Sequence, residues 1–212
     1  DSGDFHLVLE SALNTSNWGD LITRRDDLRA KGRLAGVGIS TCLEPGGGNN
    51  IFEYLFNPKL EITTFVESVL IKVEPTGAIT AMMCTTTSGQ GHETMVSTIA
   101  GEELERDPDT IRVLHADSLE ALPTRSPVAS RMAIVLGTAT STAAREIRGK
   151  MITIAAHDLG VGKDQIEYAD GEFAVRGEPS RKLVWTDICH IAHKQFHRMP
   201  PGHELGLQAY SV

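Results

Sequence analysis

The segment Ser88-Gly-Gln-Gly-His-Glu-Thr94 carries the residue types most able to do chemistry. Glycines on both sides of Gln90 let the backbone approach a ligand closely and take conformations that other residues avoid. A helix expected from about His92 to Leu104 would aim its unpaired N–H groups, and the positive end of its dipole, at whatever lies in front. The Gln90 side-chain amide can both donate and accept. A large, polar, phosphate-bearing ligand suits such a turn, and a tight strand-to-helix connection with no ligand uses the same residues. The spacing is neither the Walker A pattern, which needs a Lys-Ser/Thr after the glycines, nor the dinucleotide GxGxxG.

Cys189, His190, His193 and His197 form a second constellation. Residues three and four apart share a helix face, so these side chains could hold zinc or copper. An ordinary amphipathic helix with solvated histidines is the favoured reading, because no carboxylate or cysteine elsewhere completes a closed set. No metal ligand is therefore assigned. Glu93, Glu102, Glu103 and Glu105 around the expected helix read as surface carboxylates. Asp117 reads as a loop or cap residue, and His115 and His157 receive no role.

These groups must be positioned by a mixture of strands and helices. Residues 5–28 read as helical and 34–43 as a Gly-containing strand, with a loop at Pro45-Gly-Gly-Gly-Asn-Asn50. Ser68-Val-Leu-Ile-Lys-Val73 and Ala78-Ile-Thr-Ala-Met-Met-Cys-Thr85 flank Glu74-Pro-Thr-Gly77, which predicts a β-hairpin whose second strand feeds the Gln90 turn. On the following helix Met95, Ile99 and Leu104 are expected on one side. A short strand at 111–114, a loop at 122–127 and an Ala-rich helix over 130–159, with a break near Gly137 or Gly149, come next. A second hairpin turns at Asp170-Gly171. A last helix, capped by Thr186 or Asp187, runs through His197 to Pro200-Pro201. Without a regular βαβ alternation the fold class is α+β, mixed sheets with packed helices.

Composition narrows the functions. The 212 residues can bury a sizeable core built on Ala, Val, Ile, Leu and Met, since aromatics make up only 5%. A formal charge of -8 argues against nucleic acid or an anionic membrane as partner. Three cysteines without CxxC spacing describe neither a disulfide framework nor a cysteine metal set, and reduced thiols in a cytoplasmic protein are expected. No apolar run is long enough to span a bilayer.

Gly89-Gln-Gly-His-Glu-Thr94, the helix ending near Glu102-Glu-Leu104 and the run Ile111-Arg-Val-Leu-His-Ala-Asp117 together resemble the molybdopterin-binding large subunit of the xanthine dehydrogenase/aldehyde oxidase family. Thr124-Arg-Ser-Pro-Val-Ala129 is similar to the cofactor-contacting loop of the carbon monoxide dehydrogenase-like branch. Thr124 replaces a Ser there, the loop looks one residue shorter, and Arg131 stands where a small residue is expected. Asp1-Ser-Gly-Asp-Phe5, Gly32-Arg-Leu-Ala-Gly-Val-Gly-Ile39 and the first hairpin resemble the same family in the same order.

The resemblance implies a molybdenum–molybdopterin cofactor, in a form leaning to the cytosine dinucleotide, held by Gln90, Gly91 and His92 on one side and by Arg125, Ser126, Pro127, Val128 and Ala129 on the other. It implies hydroxylation of an aldehyde, N-heterocycle or similar small molecule with oxygen from water, and iron–sulfur clusters and FAD on partner domains or subunits. The family's catalytic glutamate lies in a Gly-x-Gly-Glu segment. That segment and the family's Gly-Gly-Phe-Gly are absent here. Residues 1–212 are therefore expected to be an internal part of the cofactor-binding domain, without a catalytic residue of its own and inactive alone. A non-catalytic binding or assembly module of the same fold, holding no molybdenum, is the alternative.

Overall fold

The computed structural model describes residues 3–42, 58–59, 66–115, 117, 119, 122–124, 127–128 and 130–212. They fall into two compact units, Asp1–Glu44 and Pro45–Val212. The Pro45–Asn50 loop expectation lies outside the described residues.

In the first unit the single expected helix is two: α1 (Phe5–Thr15) and α2 (Trp18–Ala30). Asp4 caps α1 by accepting the Leu7 N–H at 2.9 Å. The break falls at Asn17, whose φ of 49° is left-handed, a region Asn enters more readily than most residues. Residues 34–42 carry no regular structure, so the expected strand is not formed. None of the described residues of this unit is buried, and a β-run without a partner strand has nowhere to place its backbone hydrogen bonds.

The second unit contains the first hairpin as expected, β1 (Val69–Val73) antiparallel to β2 (Ile79–Met83). Alternation puts Val69, Ile71, Val73, Ile79, Ala81 and Met83 on one buried face. Helix α3 (His92–Leu104) matches the sequence expectation, although its buried residues include Val96 and Ala100, with Met95 only partly covered. It crosses over to β3 (Ile111–His115), which pairs parallel with β2. The Ala-rich helix α4 (Met132–Leu159) runs unbroken for 28 residues. Gly137 does not end it but allows close helix packing, since a Cβ there would meet Ile99 Cδ1 of α3 at 3.1 Å. The hairpin β4 (Ile166–Ala169) and β5 (Glu172–Val175) forms around Asp170-Gly171, and β6 (Glu178–Val184), unforeseen, extends it to three strands.

Helix α5 (Trp185–Lys194) begins ahead of the expected cap. The N-cap is Val184 rather than Thr186 or Asp187; Asp187 sits in the first turn and accepts the Val184 N–H at 3.1 Å, and the helix ends before His197. Trp185 Nε1–H donates to Gly77 O at 2.9 Å, tying α5 to the first hairpin turn. The final strand β7 (Leu207–Ser211), also unforeseen, pairs antiparallel with β1, giving sheet order β3-β2-β1-β7. The α+β class stands. No helix among the described residues is long and apolar enough to cross a membrane.

Candidate functional site

The hairpin delivers the chemistry-bearing turn. β2 ends at Met83, Cys84 and Thr85 remain buried, and the chain then turns outward through Gly89 (φ 96°) and Gly91 (φ 75°). Both angles lie in the left-handed region that glycine enters without cost. An added Cβ at either would meet nothing within 4 Å, so the backbone borders open space. Gly91 is the N-cap of α3 and offers no side-chain bond to its first N–H groups.

A cleft of about 380 Å³ opens in front of this helix start, lined by Gln90, Gly91, His92 and Met95. Its other wall is Pro127, Val128 and Ser130 to Ala133, where α4 begins. Two helix N-termini therefore border one cleft. The N-cap of α4, Arg131, likewise gives no side-chain bond to its own helix. Five expected cofactor residues, Gln90, Gly91, His92, Pro127 and Val128, are brought together here; Arg125, Ser126 and Ala129 lie outside the described residues. Met95, Ser130, Arg131, Met132 and Ala133 were not foreseen as lining. The one mark the sequence carried there was Arg131, standing where a small residue is expected.

Three details shape the site. Gln90 Oε1 accepts the Ser88 N–H at 2.5 Å and the Thr87 hydroxyl at 3.3 Å, so its carbonyl end is fixed inside the turn. His92 is 6% exposed, and its Nδ1 has no hydrogen-bond partner among the described residues. Such a buried polar atom calls for a partner. In the second wall, Arg131 is fully buried and ion-paired with the fully buried Glu67. Glu67 Oε2 also accepts the Thr124 hydroxyl at 2.5 Å and the Cys84 thiol at 2.9 Å. Burial pushes the Arg131 pKa down from its ordinary value, yet an arginine beside a carboxylate keeps its proton.

Beside the cleft, His115 pairs with Glu93 at 2.7 Å, a contact the sequence did not suggest. The backbone N–H of Glu93 and then the His115 imidazole hold this carboxyl below its ordinary value. Asp117 Oδ1 accepts the Leu119 N–H at 2.7 Å, as a loop residue would. The Cys189/His190/His193/His197 face does not converge. Cys189 is buried and its thiol pushed up to about 12 by desolvation, His193 Nε2 bonds Val73 O at 2.8 Å, and His190 and His197 are exposed. No group of three or more potential metal ligands occurs among the described residues.

A Gly-Gln-Gly helix start thus shares one cleft with a second helix start on an α+β scaffold. Residues 11–210 match the model of the molybdopterin cofactor-binding domain, and the chain belongs to that family. It is 32% identical over 213 residues to the carbon monoxide dehydrogenase large chain of Hydrogenophaga pseudoflava, covering 99% of this chain and 26% of that one. The nicotine 6-hydroxylase large subunit of Paenarthrobacter nicotinovorans is 24% identical over 208 residues, 98% of this chain and 25% of that one. Among solved structures, a Cu,Mo-CO dehydrogenase in its carbon monoxide reduced state superposes with a TM-score of 0.68 at 28% identity, over 99% of this chain and 26% of that chain. The chain thus spans about a quarter of the length of these relatives.

Proposed function

We propose that this chain forms one wall of the molybdopterin site in the large subunit of a molybdenum hydroxylase. The observation that carries the reading is the buried His92 Nδ1, without a partner among the described residues, on a cleft bordered by the starts of α3 and α4. Open space beside Gly89 and Gly91 fits a large polar group, and two helix N-termini fit its phosphates. We expect the cytosine dinucleotide form, in line with the carbon monoxide dehydrogenase-like resemblance. When bound, the molybdenum–pterin group supplies the two-electron chemistry that hydroxylates a small aldehyde, N-heterocycle or related molecule with oxygen from water.

The protein groups bind and orient. Gln90, its carbonyl held by Ser88 and Thr87, turns its NH₂ toward the ligand as a donor. The amides of Gly91 and His92 face anionic oxygens, and His92 Nδ1 gains the partner it lacks. Pro127, Val128 and Met132 cover the apolar part of the group and limit water. Residues 1–212 hold no Gly-x-Gly-Glu, so the base belongs to another part of the subunit, and the electrons leave through iron–sulfur and flavin partners.

Cofactor analysis of the assembled native complex tests this directly. Stoichiometric molybdenum and pterin are expected, with a strong loss of both on Gln90→Ala. A complex that carries neither would establish the non-catalytic module instead. The pure 212-residue chain supplied with cofactor should not turn over purines, aldehydes or N-heterocycles.

A further inference from the structure

We propose that Glu67 is a positioning residue for the cofactor cleft, fixing the Arg131 guanidinium and the segment before α4 at the cleft wall. The inference rests on the cofactor reading above. Glu67 stands just ahead of β1 and pairs with Thr124 in an isolated antiparallel bridge. One carboxylate gathers three segments. Cys84 comes from the end of β2, which continues into the Gln90 turn. Thr124 comes from the loop that continues into Pro127 and Val128. Arg131 is the residue at which α4 begins. Ser68 adds a second stitch to the same loop, its hydroxyl donating to Pro123 O at 2.7 Å and its N–H to Cys84 Sγ at 3.2 Å.

Each of those segments supplies cleft-lining residues, so the carboxylate sets the distance between the two walls. Stability alone does not explain the arrangement. A buried ion pair is a poor way to stabilise a core, and apolar residues of similar volume usually do as well or better. Glu67 and Arg131 are both fully buried, and Arg131 lies on the cleft. Next to it Ser130 holds φ at 49°, a left-handed conformation that a non-glycine residue keeps only when its surroundings enforce it. The pair fixes the start of α4 and the strained turn at Ser130 along the cleft, and that placement is its role.

The test uses the full-length subunit in its assembled, cofactor-loaded complex, with molybdenum release into buffer and thermal unfolding measured side by side. Glu67→Gln keeps the shape but weakens a charge-assisted bond, and should release molybdenum about tenfold faster than the parent. Glu67→Gln with Arg131→Met removes both charges of the pair, so it should unfold near the parent temperature and still release molybdenum about tenfold faster. A merely structural pair would move both readouts together, and parent-like release from the double variant would overturn the proposal. Should Glu67→Gln fail to fold, Glu67→Asp decides. It keeps the charge on a shorter arm, and parent-like release from it sinks the idea while faster release supports it. Gln90→Ala runs as the control. If it too holds molybdenum like the parent, the cofactor reading itself has failed; if it alone loses metal, only the role of Glu67 has.

Discussion

The Gln90 side chain folds back so that its carbonyl accepts the Ser88 N–H at 2.5 Å, and this bond decides which end of the amide meets a ligand. Gln90→Glu keeps the acceptor but replaces the NH₂ donor with a second anionic oxygen. Gln90→Ala removes both. In the assembled complex Gln90→Ala should cut turnover or molybdenum content by roughly one to two orders of magnitude, the scale of one or two lost bonds to a buried polar group. Gln90→Glu should be at least as harmful despite being nearly isosteric. Metal analysis and turnover on the same preparations check it, and normal values in Gln90→Ala would remove this turn from the site.

The glycines divide by what surrounds them. At Gly91 an alanine meets open space, so only the φ of 75° opposes it, and Gly91→Ala should cost about 1–2 kcal/mol of stability. At Gly77 the φ is 88° and a Cβ would come within 2.9 Å of Trp185 Cδ1, so Gly77→Ala should cost clearly more. Denaturant unfolding ranks the two. Equal losses would show that the hairpin turn yields to Trp185 more easily than its bond to Gly77 O implies.

Acid sensitivity should report on Glu103. Arg145, then Ser141, hold its carboxyl below the ordinary 4.5. The folded chain therefore binds fewer protons than the unfolded one around and below the ordinary carboxylate range, so this contribution is full above that range and fades as the pH falls below it. Glu103→Gln should flatten that part of the stability–pH curve and leave its neutral limb parallel to the parent. Unchanged curvature would mean that Arg145 and Arg148 give Glu103 no net preference for its charged form.

The three thiols should separate cleanly. Cys42 is exposed, whereas Cys84 and Cys189 are buried. A neutral alkylating reagent should modify Cys42 in the native chain and all three only after denaturation. Rapid native labelling of Cys189, whose thiol burial pushes up to about 12, would mean that α5 opens readily.

How far the sequence could be read follows from how local each signal is. The first hairpin and the limits of α3 were legible because their marks, Glu74-Pro-Thr-Gly77 and the Gln90 glycines, sit beside the elements they end. β6 was not, since all but one of its residues are exposed and no alternation marks it. β7 was missed because its reason for being a strand is β1, far away in the chain. The site divides in the same way. Gln90, Gly91 and His92 declare themselves, but nothing local says that the first turn of α4 will lie across from them. Arg131 looked like a departure from a small residue; its partner, Glu67, is 64 positions earlier, and only the folded chain brings the two together.

β1 owes its central place in the sheet to Leu207–Ser211, which closes its second side. Loss of that strand would leave the amides and carbonyls of Val69 to Val73 unpaired along one edge of the sheet. Such edges recruit strands from neighbouring molecules. Leu207–Ser211 therefore guards β1 against pairing with other molecules, and loss of this strand should send the protein into insoluble assemblies before any cofactor contact is lost.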